Sequence, residues 1–201
     1  MQQWIQDVEL ETPSVILRPL SVRDRDALLE AASDGRLWEL WFTGVPSADT
    51  VDGYIERALT QKAAGESLPF VVVDKSSGDV IGSTRYCHVE AAHRRLEIGY
   101  TWYARRFQKT RVNTECKQAL LTHAFETLHA IAVEFRTHWH NHASRQAIAR
   151  LGAKQDGVLR NHHIEPDGAY RDTVVFSILE SEWPTVKKSL AHKLARLGER
   201  G

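Results

Sequence analysis

The chain has 201 residues, with 26 basic and 26 acidic side chains, so no net field draws it to nucleic acid or to an anionic membrane. It is long enough to bury a core without disulfides or metal, and its two cysteines, Cys87 and Cys116, are expected as free thiols of a reducing compartment. The first residues lack the basic and apolar stretches of a secretory signal, and nothing approaches the about 20 apolar residues of a membrane span, so a soluble cytoplasmic protein is expected.

Ser14 to Leu20 is predicted as a first strand, ended by Pro19. Ser21 and Asp24 have the spacing of a capping box for a helix through about Ala32, which Asp34-Gly35 closes. The aromatic stretch Leu37 to Phe42 leads into Gly44-Val45-Pro46, a break. A second helix starts near Thr50, with Val51, Tyr54, Ile55, Ala58 and Leu59 on one face. Strands are then predicted over Phe70 to Asp74, Val80 to Tyr86 and Arg94 to Trp102, the first two joined by a turn at Lys75 to Asp79. Cys116, Leu120, Leu121, Ala124, Phe125 and Leu128 recur at helical spacing. Ala132 to Trp139 alternates as a strand, Asn141 to Leu151 is a helix with Gly152 as its C-cap, and strands follow over Ala153 to His162 and Tyr170 to Leu179. A terminal helix over about 182–197 turns Trp183, Val186, Leu190, Leu194 and Leu197 inward, with Gly198 just past its end. The order βααβββαβαββα indicates a single α/β domain over 1–201, built on a mixed, mostly antiparallel sheet of about six to seven strands flanked by helices.

The turn from the fourth strand into its helix stands out. A helix start leaves its first N–H groups without partners and carries the positive end of the macrodipole, which makes it an anion site. Here that turn reads Gln108-Lys109-Thr110-Arg111-Val112-Asn113-Thr114-Glu115, adding two cations and several polar side chains. A phosphate-bearing ligand is the expectation, although no P-loop or dinucleotide fingerprint is present.

This order of elements resembles the GNAT acyl-CoA N-acyltransferase superfamily, and within it the branch of the ribosomal-protein N-terminal acetyltransferases. The likeness spans Val15 to Val186. It rests on Leu96-Glu97-Ile98-Gly99-Tyr100, on Gln108 to Glu115, on Asn141-His142-Ala143-Ser144 through Leu151-Gly152-Ala153, and on Gly157-Val158-Leu159-Arg160. The resemblance implies acetyl-CoA as cofactor, with its pyrophosphate on the loop Gln108 to Asn113, an amine acceptor, and a homodimer. Arg111 and Asn113 stand where the family has glycine or another small residue, and Ile148 stands where many relatives carry a tyrosine acid.

Acyl transfer from a thioester to an amine needs a free amine, a polarised carbonyl and a stabilised thiolate. The backbone of Thr101, Trp102 and Tyr103 is the candidate for the carbonyl, and Lys109, Thr110, Arg111, Val112, Asn113 and Thr114, with Gln108, for the cofactor's phosphates. Glu97 is the candidate base, against an alternative as a carboxylate paired to Arg94 or Arg95. Ser144 is the candidate partner of the leaving sulfur, and equally suits a place in the first turn of the helix; Asn141 is the candidate for the pantetheine amides, with a helix cap as its alternative. Family analogy makes Trp38, Trp41 and Phe42 an acceptor pocket, whereas aromatic residues between helices otherwise belong to a core. His138 and His140 alternate on one strand face, but no cysteine or carboxylate completes a metal-ligand spacing, so no metal is expected. Without a tyrosine acid, an α-amine or another acceptor of low pKa is favoured over lysine. A CoA-binding or partner-binding module that has lost catalysis is the competing reading. The basic tail Lys187 to Lys193 suggests a nucleic-acid partner, which the neutral composition disfavours.

Overall fold

The computed structural model describes residues 3–198. Two strands come first, β1 (Leu10–Glu11) and β2 (Val15–Pro19), followed by helices α1 (Arg25–Ser33) and α2 (Val51–Ala63). Strands β3 (Leu68–Asp74), β4 (Val80–Glu90) and β5 (Arg95–Tyr103) lead to α3 (Val112–Thr122), which a wide π turn prolongs to Thr127. The rest is β6 (Ala132–His138), α4 (His142–Leu151), β7 (Lys154–Ile164), β8 (Tyr170–Leu179) and α5 (Trp183–Gly198). No helix among the described residues is long and apolar enough to cross a membrane.

All strands join one eight-stranded sheet in the order β1-β2-β3-β4-β5-β6-β8-β7. Among the described residues, only β5 and β6 pair in parallel. The expected sheet of six to seven strands is therefore one short. The missing member is β1, two residues that pair with Leu17 and Ile16 and are too few to show any periodicity. The expected elements otherwise form, with ends shifted by a few residues. The Ser21–Asp24 capping box is present, and it closes a short 3-10 turn ahead of α1. Arg18 fastens the same Asp24 through two hydrogen bonds of 3.0 and 2.6 Å. Gly152 ends α4 at φ 107°, a left-handed value that glycine adopts at little cost. Gly198 lies within the last turn of α5.

Alternation along the strands divides the core in two. Tyr86, Leu96, Ile98, Val133 and Phe135 meet α3, α4 and α5 on one face. Val71, Val80 and Trp102 meet α1 and α2 on the other.

Two irregularities in the middle of the sheet position everything that follows. Ser83 faces Trp102 and Arg85 faces Gly99, so Tyr100 and Thr101 together oppose Thr84 in a β-bulge, with Tyr100 at φ 51°. On the opposite edge of β5, pairing with β6 covers only Arg95↔Ala132, Leu96↔Val133 and Glu97↔Glu134. Beyond these rungs the strands diverge. β5 is still held by β4, and β6 by β8 over its whole length, so a wedge opens between them without loosening either strand.

Glu115, in the first turn of α3, pins the N-terminal strands to the loop at the mouth of this wedge. Only 1% exposed, its carboxylate accepts from Thr12 Oγ1 at 2.8 Å, from the Ser14 amide at 3.1 Å and from Ser14 Oγ at 2.5 Å, and it pairs with Arg111. Burial alone would push this carboxyl up, but the bonds from Ser14, Thr12 and Arg111 outweigh it and hold the group below its ordinary range. A depressed pKa contributes stability above the unfolded value of about 4.3 that is lost as pH falls. Glu115→Gln is expected to lower Tm by roughly 5 °C at pH 7. The difference should narrow steadily as the pH is lowered to 3.5. Thermal melts of both proteins across that range check this, and a gap of constant size would place the contribution in shape and not in charge.

Candidate active site

The loop after β5 forms the mouth of the wedge. Gln108 folds back so that its Nε2 donates to the Tyr103 carbonyl at 3.0 Å, and Thr110 Oγ1 donates to the Phe107 carbonyl at 2.7 Å. Lys109 takes φ 61°, a left-handed value unusual for a residue with a side chain. Among the described residues, the amides of Lys109, Thr110, Arg111, Asn113 and Thr114 have no hydrogen-bond acceptor, whereas Val112 N–H has Thr110 Oγ1 at 3.3 Å. These amides, the α3 dipole and the exposed Lys109 side chain suit a pyrophosphate. The departures from the family loop carry little backbone strain. Arg111 has φ −67° and Asn113 is helical, so neither needs a left-handed conformation; that burden falls on Lys109. The Arg111 side chain turns to Glu115 and pairs with it through Nε.

Thr101, Trp102 and Tyr103 bring their backbone to the wedge while their side chains are engaged elsewhere. Trp102 Nε1 donates to Tyr54 Oη at 3.3 Å on the α2 side, and Tyr103 is buried in the core against α3. Thr101 Oγ1 lies 2.8 Å from Thr84 Oγ1 and accepts from Lys117 Nζ at 2.6 Å.

On the α1–α2 face, Glu97 sits on the last β5–β6 rung opposite Glu134. Two carboxylates side by side repel, and the site answers with cations. Arg95 pairs with Glu134, and Arg136 lies 3.0 Å from Glu134 and 3.5 Å from Glu97. Glu97 is thus buried and partnered, but by His88 and Arg136, not by Arg94 or Arg95. His88 Nδ1 is 2.7 Å from Glu97 Oε2, and its ring is largely exposed. The bond to Glu97 raises the His88 pKa above its ordinary value, against the opposing effect of partial burial. Gly99 makes room for this arrangement, since a Cβ there would come within 2.9 Å of Glu97 Oε1 and 3.0 Å of Cys87 Sγ. A hollow of about 280 Å³ opens beside the pair, lined by Gln61, Glu66, His88, Glu90 and Tyr100. A larger one of about 440 Å³ lies along α2, lined by the Arg25–Asp52 ion pair and by Glu56 and Thr60.

At the far end of β6, Asn141 caps α4, its Oδ1 accepting from the Ser144 amide at 3.0 Å. Ser144 is half-buried, with no hydrogen bond to its hydroxyl among the described residues. Ile148, one turn on, is buried in the core, so α4 presents no acid at that level. The aromatic candidates separate. Trp38 packs into the α1–α2 core. Trp41, 66% exposed, stands edge-on to Phe42 at 5.5 Å and to His138 at 4.9 Å, which brings these two candidates over the end of β6. His138 Nδ1 accepts the His140 amide at 3.0 Å, and burial pushes its pKa down. The one set of three metal-type donors among the described residues is instead Cys87, His88 and Glu97. Arg136 Nε, 3.5 Å from Glu97, places a cation beside this set, which disfavours a metal ion there.

Neither His88 nor Lys117 stands out in the sequence. His88 lies in the part of β4 beyond Tyr86, past the predicted end of that strand, so its register with Glu97 was hidden. Lys117 on α3 looks like a surface residue until helical spacing is followed: it adjoins the buried Cys116 and lies one turn before Leu120 and Leu121, on the face toward the sheet.

A family model described as Acetyltransferase (GNAT) domain matches residues 14–154. The uncharacterized N-acetyltransferase p20 of Bacillus licheniformis is 25% identical over 178 residues, covering 87% of this chain and 97% of that protein. A GCN5-related N-acetyltransferase from Brucella melitensis superposes with a TM-score of 0.83 at 27% identity, covering 94% of this chain and 86% of that one. Mycobacterium smegmatis RimJ, solved with CoA-disulfide, has a TM-score of 0.75 at 24% identity and 93% coverage of both chains, a likeness of fold.

The Glu97–His88 contact has a direct spectroscopic consequence. In Glu97→Gln the imidazolium loses its carboxylate, so the His88 pKa should fall back toward 6.5. An NMR titration of the histidine ring protons in both proteins measures it. An unmoved His88 would mean that the contact contributes nothing to the proton affinity of the ring.

Proposed function

Because the chain belongs to the GNAT acetyltransferase family, in which acetyl-CoA is the acyl donor, we propose that it acetylates an amine of low pKa, foremost the α-amine of a protein or peptide N-terminus. The observation that carries this reading is the wedge between β5 and β6, with an amide-lined loop at its mouth and a carboxylate–imidazole pair at its apex. The edges of β5 past Glu97 and of β6 past Glu134 have no ladder partner among the described residues. An extended arm carrying amides can satisfy them as a strand would. Lys109 and the amides of Thr110, Arg111, Asn113 and Thr114 would hold the pyrophosphate, and Asn141 the pantetheine. The thioester supplies an acyl group with a good leaving thiol. The protein has to position it, offer backbone N–H groups of Thr101 to Tyr103 to the carbonyl, and take one proton from the amine.

That proton goes to His88, oriented by Glu97. Its exposed ring faces the hollow beside Tyr100, on the side of the sheet where an acceptor can approach. An α-amine has a pKa of about 7.7–8.0, so roughly a quarter is already free at pH 7.4, against about 0.1% of a lysine amine. A single imidazole–carboxylate pair suits the first acceptor and serves the second poorly. The competing reading, a CoA-binding module with weak catalysis, is favoured by Ile148 in the core and by Arg111 paired with Glu115.

A CoA thermal shift followed by acetyl-CoA turnover over α-amino peptides and small amines tests both readings. At about 100 times its Kd, CoA should stabilise the protein by roughly 2.7 kcal/mol, and Lys109→Glu should weaken binding about tenfold. Stabilisation without turnover on any amine would support the module. Glu97→Gln is expected to cost about 10²-fold at pH 7 on an α-amino peptide, and less above pH 8, where the amine is free without help. A deficit constant from pH 6 to 9.5 would show that Glu97 orients the site and takes no part in proton removal.

A further inference from the structure

Lys117 is 4% exposed, on the inward face of α3, and its ammonium has one hydrogen bond, to Thr101 Oγ1 at 2.6 Å. No carboxylate lies within ion-pair distance of it among the described residues. Burying an ammonium with a single neutral partner costs several kcal/mol and is maintained in a fold chiefly where the charge is used. Its position is specific. Thr101 belongs to the bulge of β5, and the Phe135 ring, 6.0 Å from Nζ, belongs to the first β6 residue past the last rung. The ammonium therefore stands at the apex of the wedge, between the two strands, and enters from the α3 face. His88 and Glu97 lie on the opposite face. Ile148 leaves α4 without an acid at this level, and Thr101 with Thr84 holds the lysine in place.

Resting on the acetyl-transfer reading, we infer that Lys117 is the acid of the reaction: it protonates the sulfur that leaves as the amide forms. The amine nitrogen bonds to the acyl carbon and the carbon–sulfur bond breaks. The amine gives one N–H proton to His88, and Lys117 gives one to the departing thiolate. Lys117 regains its proton from water and His88 releases one to water, so the step balances. Burial pushes the lysine down to about 8, countered in part by the Glu97 carboxylate across the sheet. That value is close to an ordinary thiol's of about 8.5, so transfer between them is nearly level.

The test compares CoA with desulfo-CoA, which lacks only the sulfur, by calorimetry at pH 7.5. The parent should bind CoA about tenfold more tightly than desulfo-CoA, because a thiolate accepts from the ammonium. Lys117→Met should bind the two alike and retain the parent's affinity for desulfo-CoA, which also reports that the variant is folded. Its kcat should fall about 10²-fold with little change in the acetyl-CoA KM. The alkaline limb near pH 8 in the parent's rate profile should disappear, and an aryl thioester, whose thiol leaves without a proton, should recover most of the rate. Equal affinity of the parent for both ligands overturns the assignment while leaving acetyl transfer intact. So does a Lys117→Met profile that keeps its alkaline limb. Binding of neither ligand to the parent overturns the acetyl-transfer reading and this assignment with it.

Discussion

Strands β5 and β6 run in parallel and share three rungs, after which each continues for several residues with its inner edge unmatched. A buried backbone group without a partner costs about 1–3 kcal/mol, so an unmatched double edge is normally closed by the sheet itself. Here it stays open because each strand is fixed from outside, β5 by β4 and β6 by β8. The bulge at Tyr100–Thr101 turns β5 away where the wedge begins, and Glu97 with Glu134 places two like charges on the final rung. The loop after β5, the Glu97–His88 pair and the buried Lys117 are all placed relative to that opening.

Pleating separates the Glu97–His88 pair from Lys117. Residues that alternate along β5 point to opposite faces, so Glu97 reaches His88 on one side while Thr101, past the bulge, meets Lys117 on the other. Their environments act in opposite directions on the two cations. The carboxylate raises the imidazole, and burial lowers the ammonium. Both move toward neutrality, the range in which proton exchange with an amine and a thiol costs least. A sheet without the bulge would put Thr101 on the same face as Glu97, and the two groups would compete for one space.

How much of this was legible in the sequence depends on the range of the interaction. Helix faces, caps and the order of elements are set within a few residues, and the Ser21–Asp24 box, the Gly152 cap and the α3 face follow from spacing. The strand-to-helix turn at Gln108 to Thr114 was legible for the same reason: a basic, polar stretch between a strand and a helix is a local pattern. What remained hidden depends on register. The Glu97–His88 contact joins neighbouring strands across an irregular stretch between Cys87 and Glu90. The partners of Glu115 lie about a hundred positions away, at Thr12 and Ser14. Arg111 was expected to face a phosphate and instead turns back to Glu115, because a buried carboxylate one helical turn away is the nearer claim on its charge. Trp38, Trp41 and Phe42 are close in sequence yet divide between a core and a surface, a distinction composition does not carry.

The two cysteines have a practical consequence of their own. Cys87 and Cys116 are buried, and burial pushes both thiols up, Cys116 to about 12. The thiolate is the species that attacks disulfide reagents, so neither side chain competes for them near neutral pH. A chromogenic thiol reagent applied to the folded protein is thus expected to report chiefly the free CoA released during turnover.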